Sequence, residues 1–138
     1  MGLCLVIYDE NGDDVAEVGV GPYSEFGALR DFVAFNLERQ NAGSRFPTFM
    51  LHSDCDGEWS VEEMPKLIAE LEAIIQEMRA LPPAAFNASW QEQISKQRGF
   101  ARSSALDSFI TANCDPVLGN ILGLARRASE LRRPISFM

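Results

Sequence analysis

Residues 3–20, LCLVIYDENGDDVAEVGV, hold two apolar runs on either side of an acidic turn. The first run, 3–8, is continuous, and the second, 15–20, is rich in valine, a composition typical of strands. Asn11 and Gly12 lie between the runs, and both central residues of a type I′ turn need positive φ, which these two residue types tolerate. The sequence therefore predicts an N-terminal β-hairpin with a type I′ turn.

Two stretches outside the centre of the chain have the three- and four-residue apolar spacing of helices. Ser24 is the predicted N-cap of the first helix, which should end near 41–43. Asp115 is the predicted N-cap of the last helix, with Pro116 at its first position and an end before Pro134. The apolar positions of these two helices are Phe26, Leu29, Val33, Leu37, Val117, Leu118, Ile121, Leu122, Ala125 and Ala128.

The clearest amphipathic pattern lies in the middle of the chain. Ser60 and Glu63 match a capping box, in which each residue satisfies a backbone N–H of the other. Because proline cannot sit inside a regular helix, a start at Met64 with Pro65 at the first position is the alternative. Residues 81–83, Leu-Pro-Pro, should end this helix.

Shorter signals complete the predicted order of elements. Residues 46–51 resemble a third strand with Pro47 at its beginning, and residues 135–138 alternate as a short closing strand does. Short helical patterns occur at 89–96 and 105–110. This order predicts an α+β fold, with a small, mostly antiparallel sheet and three or more helices packed on it. At 138 residues, we expect a single domain covering residues 1–138.

Composition and charge limit the classes of function. No apolar run is long enough to span a membrane, no secretory signal is visible, and three dispersed cysteines fit a reducing compartment, so we expect a cytoplasmic protein. The net charge of −8 argues against direct binding of nucleic acid. Residues 1–80 carry −11 and residues 81–138 carry +3, which predicts an acidic surface suited to a basic protein partner.

The strongest candidate for a recognition site is residues 52–59, HSDCDGEW. Loops between regular elements often carry function, and this loop combines carboxylates with an indole, as interface hot spots do. Trp59 has an alternative role in the core, and the acidic hairpin turn joins this surface only if it lies at the same end of the sheet. The candidate partner-binding residues are His52, Asp54, Asp56, Glu58 and Trp59, together with Asp13 and Asp14 of the turn.

Three other interpretations of this loop have a chemical basis. An EF-hand alignment on Gly57 puts Glu63 at position twelve, but His52 stands where the first carboxylate ligand is required. A Ca²⁺-binding module is therefore kept as the alternative function. The main prediction includes no metal and no cofactor. A Cys55–His52 nucleophile would suffer from the carboxylates flanking the thiol, and we expect no enzymatic activity. In a purely structural role, His52 bonds the loop backbone and the aspartates form Asx turns.

The sequence of residues 43–59, GSRFPTFMLHSDCDGEW, resembles the core of the immunity protein 70 family of bacterial polymorphic-toxin systems. Segments similar to that family also occur at 2–6, 29–33, 85–87 and 134–137. The resemblance implies a non-enzymatic protein, made beside a toxin, that binds the toxin domain and blocks its activity. A nuclease-type toxin with a basic substrate cleft would suit the acidic surface.

Overall fold

The computed structural model describes residues 2–86 and 88–138; Asn87, part of one segment that resembles the family, lies outside them. Four antiparallel strands form one sheet, which confirms the predicted α+β fold. The strands are β1 (Leu3–Tyr8), β2 (Asp14–Gly21), β3 (Glu58–Trp59) and β4 (Ile135–Phe137). The helices are α1 (Tyr23–Leu37), α2 (Pro47–Met50), α3 (Met64–Arg79), α4 (Ser89–Arg98) and α5 (Val117–Leu131), with 3₁₀ turns at Val61–Glu63 and Ala105–Ser108.

The strand order is β2-β1-β4-β3, so the predicted closing strand forms and lies inside the sheet. Leu5 pairs with Phe137 across β1 and β4, and Trp59 pairs with Ile135 across β3 and β4. The last strand therefore joins the N-terminal hairpin to the middle of the chain. This long-range closure brings residues 57–59 beside the C-terminal segment.

The N-terminal hairpin is confirmed, but its type I′ turn is wrong. Only Gly12 in the turn has positive φ, at 83°. The Gly12 N–H donates to the Asp9 carbonyl, and an Asp9 carboxylate oxygen accepts from the N–H groups of Asn11 and Asp13. The Asp9 side chain thus favours a longer loop with a single left-handed residue.

The predicted third strand over 46–51 is wrong, because residues Pro47–Met50 form α2. Proline suits the first turn of a helix, where no N–H partner is needed. The Glu70 carboxylate of α3 accepts from the N–H groups of Thr48 and Phe49, at 3.2 and 2.9 Å. A distant side chain therefore caps this turn, and β3 forms later, at Glu58–Trp59.

The helix termini differ from prediction at α1 and α5. Pro22 replaces Ser24 at the N-cap of α1, which ends at Leu37 before the left-handed residues Arg39 and Gln40. Pro116 occupies the N-cap of α5, and no described side chain forms a capping hydrogen bond there.

The capping box at the start of α3 is confirmed, with Ser60 and Glu63 bonded reciprocally. The regular α-helix follows at Met64, as the alternative start predicts, with Pro65 in its first turn. Predicted helical structure also forms as α4 and as the 3₁₀ turn at Ala105–Ser108.

The sheet is buried on the side that faces the helices. Alternate strand residues on that face belong to the main core, and α5 packs against β1, β2 and α3. The sheet residues of this core are Leu3, Leu5, Ile7, Val20, Trp59, Ile135 and Phe137. Val6, on the opposite side of β1, lies outside that core cluster.

Candidate functional site

The segment from Ser53 to Glu58 is exposed along its whole length. Asp54, Asp56 and Glu58 form no ion pair within the part of the chain that the structure describes. The three carboxylates are therefore presented to solvent, and no ion pair with a described residue holds them in place. This is the condition under which an acidic loop attracts a basic surface.

His52 fixes the loop to the sheet. Its Nδ1 lies 2.8 Å from the Ser53 carbonyl oxygen and its Nε2 lies 2.9 Å from the Glu58 carbonyl oxygen. The ring also stacks on Phe137, with centroids 4.1 Å apart and planes 18° apart. A side chain at Gly57, where φ is +80°, would be strained, and its Cβ would lie 3.5 Å from the imidazole. His52 therefore has the loop-bonding role considered from sequence.

Trp59 lies in the core, fully buried at 0% exposure. Its Nε1–H donates to the Thr48 carbonyl at 2.9 Å, and its ring packs edge-on against Phe137. Of the two roles considered from sequence, the indole has the core one. Trp59 supports the loop from below and offers no exposed anchor to a partner.

Arg30 of α1 lies beneath the loop. Its Nη1 donates to the His52 carbonyl at 2.8 Å, and its guanidinium lies 4.3 Å from the centroid of the Phe26 ring. Burial lowers the pKa of Arg30 to about 10, against the opposing attraction of Asp54. Its Nε and Nη2 are buried without a hydrogen-bond partner among the described residues. The Asp54 carboxylate supplies counter-charge for this buried cation.

The hairpin turn lies at the other end of the sheet from residues 52–57. Tyr8 pairs with Asp14 at the turn end of β1, whereas Cys4 at the other end bonds Met138 through both backbone groups. The Phe137 N–H donates to the Gly57 carbonyl, which sets the acidic loop beside that second end. Asp13 and Asp14 therefore do not adjoin Asp54 and Asp56, and the condition for widening the loop surface is not met.

A polar network behind the loop was missed from sequence. Glu38 is 2% exposed, and one of its carboxylate oxygens accepts from the N–H groups of Arg45 and Phe46, each at 3.0 Å. The Arg45 guanidinium bonds both carboxylate oxygens of Glu77, at 2.7 and 2.6 Å. That bidentate bond raises the pKa of Arg45. Together with Glu70 of α3, which accepts from two N–H groups of α2, this network holds residues 45–50 in place.

The sequence signal for this network was available at α3. Glu70 and Glu77 lie three residues after Leu67 and Ile74, along the edge of the apolar stripe. A carboxylate at the edge of an apolar stripe lies close to the element packed on that stripe, and where it is buried it needs hydrogen-bond donors there. Only the fold shows that the donors belong to residues 45–49.

The alternatives of metal binding and thiol catalysis gain no geometric support. Glu63 is engaged in the capping box, and no three His, Cys, Asp or Glu side chains in the described ranges converge as metal ligands. The Cys55 Sγ lies 3.5 Å from the Ser53 Oγ, while both His52 nitrogens contact carbonyl oxygens. The thiol–imidazole pair considered from sequence is not assembled.

The helices that the structure describes include none with the length and apolar character needed to cross a membrane. In comparisons with known proteins, no curated protein and no solved structure matched the chain. The family model for immunity protein 70 matches residues 6–137, nearly the whole sequence. The match covers the loop, its supporting helices, β2, β3, β4 and the second half of β1, and it agrees with the resemblance of residues 43–59. The chain therefore belongs to the immunity protein 70 family.

Proposed function

We propose that this protein is an immunity protein that binds a cognate toxin domain in the cytoplasm of the producing cell and blocks its activity. Family membership supports the immunity role. The observation that carries the binding role is the exposed loop, where Asp54, Asp56 and Glu58 have no ion-pair partner among the described residues. A partner with clustered Lys and Arg, such as a nuclease-type toxin with a basic cleft, fits this charge.

The loop is suited to binding because its scaffold is fixed. His52 stacks on Phe137, Trp59 bonds Thr48, and Arg30 bonds the His52 carbonyl. A loop that is already ordered loses little conformational entropy on association. The acidic residues then act mainly on the association rate, since complementary charge speeds encounter.

The first experiment is co-expression with the toxin domain encoded by the adjacent gene, scoring cell survival and co-purification of the two chains. Rescue together with a stable complex is the expected result. Survival without any complex, or failure of rescue by a folded immunity protein, would contradict the proposal.

The loop assignment is tested by Asp54→Lys combined with Asp56→Lys. We expect the affinity for the toxin domain to fall at least tenfold at low salt, and the remaining affinity to depend less on salt, because two favourable charges become repulsive. Asp56→Lys alone keeps the attraction between Asp54 and Arg30, which lies beneath the loop. This single variant therefore controls for damage to the scaffold.

The matched control is Glu72→Lys combined with Glu92→Lys, which changes the net charge equally at exposed positions of α3 and α4. Both glutamates form only solvent-exposed ion pairs, which contribute little to stability. Equal weakening by the control and the loop variant would show that net charge, and not the loop, sets the affinity.

A further inference from the structure

One face of the sheet carries exposed residues, among them Glu58, Glu17 and Gly19, and runs from the acidic loop to the hairpin turn. Glu58, Ser136, Val6 and Glu17 pair side by side across β3, β4, β1 and β2. Strand residues alternate between faces, so this row points away from the core residues Leu5 and Phe137. We call this surface the open face and define it by Cys4, Val6, Glu17, Gly19, Ser136 and Glu58.

Contacts between side chains confirm that these residues share a face. The Cys4 Sγ lies 3.7 Å from a Glu17 carboxylate oxygen, across the β1–β2 pair. Met138 is hydrogen-bonded opposite Cys4 and is 55% exposed. A Cβ built on Gly19, the partner of Cys4 in β2, meets no atom within 4 Å. Residues 2–86 and 88–138 therefore place no atom in the space above this part of the sheet.

The open face has an acidic margin around a centre that its own side chains close. Val6 is 4% exposed although it lies outside the main core, so its neighbours on this face cover it. Glu17 and Glu58 flank it on either side and are both exposed. The sequences of the four strands, LCLVIY, DVAEVGVG, EW and ISF, contain no Lys or Arg. Exposed carboxylates without a basic residue in the four strands favour a basic partner on this face.

The size of the face indicates how a partner would sit. Four strands about 4.8 Å apart and six residues rising about 3.3 Å each give roughly 14 by 17 Å. That is well below the approximately 800 Å² that each partner contributes to a stable interface. A partner on the open face must therefore also cover an end of the sheet, where either the acidic loop or the acidic turn lies.

We infer that the open face is the docking surface for a basic patch of the toxin domain. The bound toxin domain also extends over the loop that carries Asp54 and Asp56. This inference rests on the proposed function and adds the surface and the chemistry of the partner. A second copy of this chain is a poor occupant, because two faces with acidic margins would repel each other. A polyanion such as nucleic acid is repelled for the same reason.

A steric variant tests the surface without removing any native contact. Gly19→Gln places a neutral side chain in the empty space above the face, and no positive φ opposes it. Its matched control is Gly123→Gln on α5, where an added Cβ also meets nothing within 4 Å and the position is exposed. Both variants should melt at or above the wild-type temperature, because glycine is unfavourable inside strands and helices.

The measurement is the dissociation constant for the catalytically inactivated toxin domain encoded by the adjacent gene, together with protection in cells. We expect Gly19→Gln to weaken binding at least tenfold and Gly123→Gln to leave it unchanged. A charge variant, Glu17→Lys, should weaken binding at low salt, whereas Glu72→Lys should not.

The outcomes separate this inference from the proposed function. If the wild-type protein binds and protects while both open-face variants bind as tightly as wild type, the docking surface is elsewhere and the inference is overturned. If the wild-type protein neither binds nor protects, the proposed function fails and the inference fails with it. Loss of binding in the open-face variants alone, with both controls intact, supports the assignment.

Discussion

At the scale of single residues, the segment that most resembles the family divides into supporting and exposed positions. His52 and Trp59 hold the loop in place through two backbone carbonyl contacts, one indole hydrogen bond and packing on Phe137. Asp54 and Asp56 are exposed. The distinctive composition of the segment therefore reflects its scaffold at least as much as recognition, and we place the binding role on the carboxylates.

The reactivity of the Cys4 thiol provides a test of the open face at the scale of single residues. Burial and the neighbouring Glu17 carboxylate raise the pKa of Cys4, so less thiolate is present near neutral pH. Alkylation of Cys4 should therefore be slower than alkylation of the exposed Cys55. Glu17→Gln removes the like charge and should speed the reaction of Cys4 severalfold at pH 8 while leaving Cys55 unchanged.

Mass spectrometry after timed treatment with iodoacetamide resolves the two cysteines. The sign follows from the charge, since a carboxylate disfavours a nearby thiolate and its removal lowers the thiol pKa. An unchanged rate at Cys4 in Glu17→Gln would mean that the two side chains do not share the face as described.

At the scale of elements, α2 depends on groups outside its own sequence. A four-residue helix leaves most of its backbone groups without internal partners. The Glu70 carboxylate serves two of its N–H groups, and the Thr48 carbonyl accepts from Trp59. The position of α2, and with it the start of the acidic loop, is therefore fixed from α3.

Glu70→Gln tests this dependence. The amide keeps one acceptor oxygen but presents an N–H₂ donor to the second backbone N–H, and the charge-assisted bonds are lost. We expect the free energy of unfolding to fall by about 1–2 kcal/mol, as for loss of a helix cap. Urea titration followed by Trp fluorescence measures the change. Glu72→Gln, exposed on the same helix, should have little effect, and an equal loss in both variants would argue against the capping role.

At the scale of the whole molecule, the C-terminal strand joins the N-terminal hairpin to β3. β4 lies between β1 and β3, and Phe137 packs against both His52 and Trp59. The loop is thus supported by Phe137, which lies 78 positions after Trp59 and 85 positions after His52 in the sequence. Removal of the Phe137 ring should lower the global stability and reduce the order of the loop together.

Phe137→Ala is the corresponding prediction. Truncating a buried phenylalanine, here 4% exposed, leaves a cavity and is expected to cost about 3–5 kcal/mol. Thermal and urea unfolding measure the loss. Met138→Ala, at a position that is 55% exposed, should change stability by no more than about 0.5 kcal/mol. A mild effect of Phe137→Ala would show that β4 contributes little to closing the sheet.

The sequence alone determined the elements whose signals are local. The N-terminal hairpin, the capping box at Ser60 and Glu63, the amphipathic helices and the short C-terminal strand all follow from periodicity and from residues within a few positions of each other. The resemblance of residues 43–59 also identified the family, because that motif is specific in itself. Local patterning was sufficient to predict that these elements form, although the pairing partners of the C-terminal strand, β1 and β3, lie far away in the sequence.

Only the tertiary structure decided the features that depend on distant partners. Residues Pro47–Met50 form a helix and not a strand because Glu70 supplies their missing acceptors. The acidic loop and the acidic turn lie at opposite ends of the sheet because β4 inserts between β1 and β3. Trp59 is buried for the same reason, since β3 pairs with β4 beside the core. These outcomes depend on hydrogen bonds and packing between residues far apart in the chain, and no local pattern encodes them.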